Sequence, residues 1–142
     1  MKKSILFLLT LILASCGASS VKNTENKPLF EILTQQNDGG ANIRFFEILT
    51  EPNEIKMLQN DAKLKNKTSV NDIHNSNFIV LNMGEKETAG YKIGIDNAVE
   101  TDKNIIITVK ETTPKSGAVE SQVLSNPYCI VKVNSKKPII IK

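Results

Sequence analysis

The chain has 142 residues and a formal net charge of +3, and two of its positive charges, Lys2 and Lys3, lie at the N-terminus. This length predicts a single folded domain with its own core, and the nearly balanced charge excludes a broad basic surface for nucleic acid. Five Phe, two Tyr and no Trp also disfavour a stacking platform for bases.

The first sixteen residues have the organisation of a secretory leader. Lys2 and Lys3 are followed by an apolar run over 5–13, which is too short for a transmembrane helix. The run closes with the residues LASC at 13–16, which resemble the lipobox of bacterial lipoproteins. The resemblance implies cleavage before Cys16 and lipid attachment to it, and each buried CH₂ would stabilise the anchor by about 0.8 kcal/mol. We therefore expect a lipoprotein of the cell envelope, anchored in the outer membrane where the cell has one.

Small polar residues follow Cys16 up to residue 27. This composition is typical of a flexible linker, and eleven such residues have a root-mean-square span of roughly 17–20 Å. The predicted organisation is a signal peptide over 1–15, a lipidated Cys16 with a tether over 16–27, and a single β-rich domain over 28–142.

The same five residues, FEILT, occur at 30–34 and again at 46–50. Asn37, Asp38, Gly39 and Gly40 lie between the two copies and form a strong turn signal. Two apolar runs joined by such a turn predict a β-hairpin.

One helix is predicted after the second copy. Thr50 is a candidate N-cap, Pro52 suits the first turn, and the helix is expected to end near Lys65. The apolar positions of this helix are Ile55, Leu58 and Ala62.

Five further apolar runs predict strands, at 77–83, 91–99, 105–110, 128–133 and 138–141. Strands separated by short polar loops, with a single helix, indicate a mainly antiparallel sheet. The predicted fold class is mainly β (α+β), an antiparallel β-sandwich or half-barrel with one packed helix.

Three loops between these strands, at 84–91, 112–118 and 125–128, are rich in Gly, Pro and polar residues. Loops that meet at one end of a sandwich often bind other molecules, although the same residues also serve simply to close turns. The candidate protein-binding residues are Gly84, Glu85, Glu87, Thr88, Gly90, Tyr91, Pro114, Gly117, Asn126, Pro127 and Tyr128.

The loop motifs occur in a characteristic order. GEKETAGY stands at 84–91, ETTP at 111–114, and SNPY at 125–128, followed by IVKV at 130–133. Over about 72–133 the chain resembles the C-terminal domain of the protease complex subunit PrcB family. The resemblance implies a non-enzymatic, lipid-anchored accessory subunit that associates with or stabilises an envelope or secreted protease. Ala89 stands where that family often has Gly and Cys129 where it often has His, so a role of that His does not carry over.

Two other functions are compatible with the sequence. The residues TAGY at 88–91 are similar to a loop of chagasin-type protease inhibitors, with Glu87 in place of a proline. That similarity implies a protease inhibitor as the alternative. The other alternative is a structural envelope lipoprotein with no discrete partner.

An enzyme would need a reactive group, and Cys129 with His74 is the only nucleophile–base pair of that kind that the composition offers. Cys129 alternates with Val131 and Val133 on one strand face, which predicts a buried, inert thiol. A lipidated Cys16 would leave Cys129 without a disulfide partner in its own chain. No ligand cluster for a metal and no phosphate-binding loop is present in the sequence. We therefore expect neither catalysis nor a cofactor, and the sequence leaves the oligomeric state open.

Overall fold

The computed structural model of the protein describes residues 27–117 and 122–142. The predicted leader, Cys16 and nearly all of the tether lie outside these residues. Within the described ranges, no helix is long and apolar enough to span a bilayer. The elements in chain order are β1 (Phe30–Gln36), β2 (Arg44–Leu49), α1 (Pro52–Gln59), α2 (Asp72–Asn75), β3 (Asn77–Met83), β4 (Lys92–Glu100), β5 (Ile105–Thr112), β6 (Tyr128–Val133) and β7 (Ile139–Ile141).

Two sheets and a helical layer build the fold. The first sheet has the strand order β1-β6-β3-β2, with every neighbouring pair antiparallel. The second sheet has the order β4-β5-β7. The predicted mainly β, sandwich-like class is confirmed, with one parallel pair, β5 with β7, in an otherwise antiparallel arrangement.

The main core lies between the two sheets. Strand residues alternate between the two faces of a sheet, so β3 and β6 direct every second side chain into this space. Ile79, Leu81 and Val131 from these strands are fully buried there against Ile105 and Ile107 of β5. The predicted burial of Cys129 with Val131 and Val133 is confirmed.

A second core lies on the other face of the four-stranded sheet, beneath the helical layer. Phe78 of β3 is fully buried there against Ile55 of α1. Leu64 and Ile73, from the chain between α1 and β3, complete the contact. Both faces of β3 are therefore covered, and its burial is nearly continuous.

The predicted hairpin between the two FEILT copies is wrong. β1 and β2 lie at opposite edges of the four-stranded sheet, because β6 and β3 lie between them. At about 4.8 Å per strand spacing, the two strands are roughly 14 Å apart. The chain over 37–43 therefore crosses the end of the sheet instead of turning back on itself.

The helix was predicted too long and with the wrong cap. α1 ends at Gln59, Glu51 is the N-cap residue, and the Glu54 carboxylate accepts hydrogen bonds from the backbone N–H groups of both Thr50 and Glu51 at 3.1 Å. Asp61 ends the regular pattern because its side chain accepts a local hydrogen bond from the Lys63 N–H, at 2.7 Å. Beyond this break Ala62 is exposed and Leu64 is buried.

Candidate functional site

Three loops meet at one end of the four-stranded sheet, namely 37–43, 84–91 and 122–127, and we call their surface the loop end. The Glu85 N–H donates to the Asn42 carbonyl oxygen at 3.0 Å. On the other side, the Lys86 N–H donates to the Ser125 carbonyl oxygen at 2.8 Å, and the Ser125 N–H donates back to Lys86 at 3.0 Å. The 84–91 loop, which we call the middle loop, is therefore held on both flanks by backbone hydrogen bonds.

Two asparagines, Asn82 and Asn126, hold the loop over 37–43 in place. We call this loop the crossing loop, because it crosses the end of the sheet. Asn82 is 1% exposed, and its Nδ2 donates to the carbonyl oxygens of Ala41 and Ile43 at 2.8 and 2.6 Å, while its Oδ1 accepts from the Ala41 N–H at 3.0 Å. The Asn126 carbonyl oxygen accepts from the Gly40 N–H at 2.8 Å, and the Asn126 N–H donates to Asp38 Oδ1 at 3.0 Å. A buried amide whose donors and acceptor are all paired gives a loop a defined position.

The role of Asn82 is not apparent from the sequence pattern alone. Its signal is an amide inside the apolar run at 78–83, where a polar side chain must find partners once it is buried. Those partners come from residues about forty positions earlier, which the sequence pattern does not connect to it.

The candidate residues divide by exposure into three groups. Glu85, Glu87 and Gly117 are exposed; Gly84 and Pro127 are buried; Thr88, Gly90, Tyr91, Pro114, Asn126 and Tyr128 are half-buried. Ser125 Oγ donates to the Thr88 carbonyl oxygen at 2.8 Å, and the Met83 N–H donates to the Pro127 carbonyl oxygen at 3.0 Å. Several of the candidates therefore hold the loops in place rather than face a partner.

Tyr91 has such a supporting position. Its ring packs against the core between the sheets, and Lys86 Nζ lies 5.5 Å from the ring centroid. Tyr128 lies beneath the crossing loop, with its ring edge 3.6 Å from the position that a Cβ would take on Gly39. Both rings support the loop end from below.

The loop after β5 begins at the same end of the molecule. Thr112 pairs with Lys92, the residue that follows Tyr91. Pro114 and Gly117 belong to this loop, while its last predicted residue, Ala118, lies outside the described residues. The 84–91 and 125–128 loops thus lie at the loop end, and the 112–118 loop begins there.

Three exposed apolar side chains mark the loop end. Ile43 is 76% exposed, Val123 is 61% exposed and Leu124 is 57% exposed. Ile43 adjoins the middle loop on the side of Asn42, and Val123 and Leu124 precede Ser125 on its other flank. The sequence does not distinguish them, because an apolar residue in a polar loop gives no sign of whether it is buried.

The possible nucleophile–base pair is not assembled. Cys129 lies fully buried between the two sheets, and this burial raises the pKa of its thiol to about 11. His74 is exposed on α2, in the helical layer on the opposite face of the four-stranded sheet. Over 27–117 and 122–142, no group of three His, Cys, Asp or Glu side chains could hold a metal ion.

A polar cleft of about 530 Å³ lies at the opposite end of β1 from the loop end. Lys132 lines it, with Nζ 3.3 Å from Glu31 and 4.0 Å from Asp72. Asn134 donates to Glu31 at 2.8 Å, and this hydrogen bond, with the charge of Lys132, lowers the pKa of the Glu31 carboxyl. These contacts tie β1, β6 and α2 together.

Comparison with protein families supports the resemblance drawn from the motifs. Residues 77–134 match the family described as PrcB C-terminal, and this recognition is therefore confirmed for that part of the chain. The match runs from the start of β3 to the end of β6, and it includes the middle loop and the 122–127 loop of the loop end.

Among curated proteins, the chain is similar to an uncharacterized protein of Methanocaldococcus jannaschii. The two are 42% identical over 60 residues, which is 42% of this chain and 36% of that protein. The match thus spans about a third of the relative's length. No solved structure matches the chain at a significant level.

Proposed function

We propose that the protein is a non-enzymatic, lipid-anchored accessory subunit that binds an envelope or secreted protease through the loop end. The observation that carries this proposal is the set of exposed apolar side chains, Ile43, Val123 and Leu124, on loops held by backbone hydrogen bonds. Apolar side chains on a preorganised surface contribute to association because they lose little conformational entropy on binding.

The PrcB C-terminal match supports the choice of a protease as the partner. It covers two of the three loops that form the loop end. The family resemblance implies association with a protease complex, and the buried Cys129 thiol is more consistent with a binding role than with catalysis of its own.

The geometry of chain entry is consistent with a membrane anchor. Phe30, at the start of β1, pairs with Val133, while Gln36, at the end of β1, pairs with Tyr128 beside the loop end. A seven-residue strand spans about 23 Å. The chain thus enters the domain at the end away from the loops, and an anchor at Cys16, joined through the predicted flexible tether, would leave the loop end accessible to a partner.

A pull-down from detergent-solubilised cell envelope tests the proposal. The bait is the full chain with a C-terminal affinity tag, beside a loop-end variant (Ile43→Asp with Leu124→Asp) and a matched control, Val70→Asp. Val70 is 81% exposed on the helical layer, so the control adds a comparable charge away from the loops. We expect a peptidase with the wild type and the control, and none with the loop-end variant at unchanged melting temperature.

Peptidase assays on the recovered complex then distinguish the two protease-linked roles. A stabiliser prolongs activity, whereas an inhibitor suppresses it. Equal recovery of all proteins by the three baits would reject the proposal and favour a structural envelope lipoprotein without a discrete partner.

A further inference from the structure

The exposed edges of the two sheets differ in how they are protected. Unpaired edge strands invite pairing with other chains unless bulges, short length or covering groups prevent it. β1 has an irregular register between Ile32 and Thr34, and Lys67 Nζ donates to the Leu33 carbonyl oxygen between them. β4 has an irregular register after Ile95, and β7 is only three residues long.

β2 has none of these protections. Its six residues pair with β3 in an unbroken register from Arg44 to Leu49. In the described part of the chain, no hydrogen bond from outside the β2–β3 pair reaches the backbone of β2. Alternate N–H and C=O groups along its outer edge are therefore available to another strand.

An apolar groove runs beside this open edge. Phe45 and Leu49 share the face of β2 that is turned to the helical layer, and Phe45 is 36% exposed. Leu49, Met57 and Leu58 line a shallow groove of about 280 Å³ between β2 and α1. Met57 is 76% exposed, so a bound side chain would find an apolar wall on the helix side.

Two carboxylates, from Glu47 and Glu54, complete the lining of this groove, and no cation of the described residues lines it. Glu54 accepts the hydrogen bonds from Thr50 and Glu51 with Oε2, and no hydrogen bond from the described residues reaches its second oxygen. Neither carboxylate belongs to an ion pair within 27–117 and 122–142. The groove is therefore complementary to an apolar and a cationic side chain that lie two positions apart on one strand, because residues i and i+2 share a face.

We propose that β2 is a docking edge for an extended segment of a partner protein that carries an apolar residue and, two positions away, a basic residue, so that both side chains face the groove. The segment adds to the four-stranded sheet as a fifth strand beside Arg44–Leu49. Main-chain hydrogen bonds supply affinity, while the groove and its carboxylates select the side chains. The groove lies at the Leu49 end of β2, whereas the loop end adjoins the Arg44 end of the strand, so either proposal can fail its test without affecting the other.

A titration with synthetic peptides tests this docking edge. The probe is the eight-residue peptide Val-Thr-Lys-Thr-Val-Thr-Lys-Thr, in which valine and lysine share one face of the extended chain, and its binding to the full chain in detergent micelles is followed by fluorescence anisotropy. One control peptide has glutamate in place of each lysine. A second keeps the valine–lysine sequence but carries N-methyl groups on all of its inner backbone amides, which removes its N–H donors along both edges.

Charge and apolar variants of the protein locate the site. We expect the valine–lysine peptide to bind and to slow amide hydrogen exchange in β2, and both control peptides to bind at least tenfold more weakly. Met57→Lys and Glu47→Lys should each weaken binding by tenfold or more, while Val70→Lys, an equally exposed apolar position on the helical layer, should leave it unchanged. Glu47→Lys should also reduce the ratio between the affinity for the valine–lysine peptide and the affinity for the valine–glutamate peptide.

Three results would overturn the proposal. These are no measurable binding, equal binding of the N-methylated peptide, or protection from exchange at a different strand. A concentration-dependent dimer that Met57→Lys abolishes would instead assign the edge to a second copy of the chain, and it would also contradict the proposal.

Discussion

At Gly40 the crossing loop passes over the sheet with no space for a side chain. A Cβ at this position would overlap Asn82 Oδ1 and lie 2.7 Å from the Asn126 carbonyl oxygen. Both groups are fixed by the hydrogen bonds that hold the loop. Gly40 is therefore needed for close approach between two chain segments rather than for a turn alone.

Gly40→Ala is expected to destabilise the protein by about 2 kcal/mol or more, because overpacking would displace the crossing loop. Urea unfolding measures this change. Gly117→Ala is the matched control: its φ of +80° is strained for alanine, but no atom lies within 4 Å of the added Cβ. Its cost should stay near 1–2 kcal/mol, and an equal or smaller loss for Gly40→Ala would contradict the packing argument.

The Cys129 thiol is expected to resist alkylation in the folded protein. Burial raises its pKa to about 11, so the reactive thiolate is scarce at pH 8 and the sulfur is also shielded. Mass spectrometry after iodoacetamide treatment should show Cys129 modified in urea and unmodified in buffer. Rapid modification in buffer would mean that the space between the sheets opens readily.

Glu31 should make stability depend on pH in the acid range. Its pKa is lowered from 4.5 in the folded protein, so its contribution is present above about pH 4.5 and is lost as pH falls through the lower folded value. The unfolding free energy of wild type should exceed that of Glu31→Gln at pH 7, and the difference should shrink at pH 3. The effect is small because the side chain is 39% exposed; a difference that is constant with pH would contradict it.

At the scale of elements, local patterns predicted strands well and pairings poorly. The predicted strand at 128–133 has the bounds of β6, and the strand at 77–83 has those of β3, because alternation and apolar runs are local properties. The repeated FEILT segments are also local, but each pairs with a strand from much later in the chain. A turn signal between two strands does not exclude that other strands lie between them.

The helical layer shows the same limitation. The spacing of Ile55, Leu58 and Ala62 favours one continuous helix. The structure instead breaks at Asn60 and Asp61 and buries Leu64 through an irregular turn. Such local side-chain hydrogen bonds can outweigh the weak preference for helix.

Leu64→Ala is therefore expected to destabilise the protein by about 2–5 kcal/mol, the usual range for a buried leucine. Leu124→Ala is the control, since that leucine is 57% exposed and should cost less than about 0.5 kcal/mol. Thermal unfolding of both variants measures the contrast. Equal losses would mean that Leu64 is not an anchor of the helical layer.

At the scale of the whole molecule, the sequence predicted the loops of the site but not all of its contact residues. The 84–91 and 125–128 segments meet as expected because β3, β4 and β6 place their connections at one end. The 37–43 loop belongs to the loop end only because β6 and β3 lie between β1 and β2. The predicted hairpin, which paired β1 with β2, gave no reason to expect this. The exposure of Ile43, Val123 and Leu124 depends on what the other loops leave uncovered, so it too follows only from the assembled fold.

Site-specific photo-crosslinking in living cells tests the central claim, that the loop end contacts a protease, most directly. A photoreactive amino acid replaces Leu124 in one protein and Val70 in another, since both positions are well exposed. We predict a covalent adduct with a peptidase from position 124 and none from position 70. An adduct from position 124 that contains no peptidase, the same adducts from both positions, or no adduct from position 124 would contradict the claim.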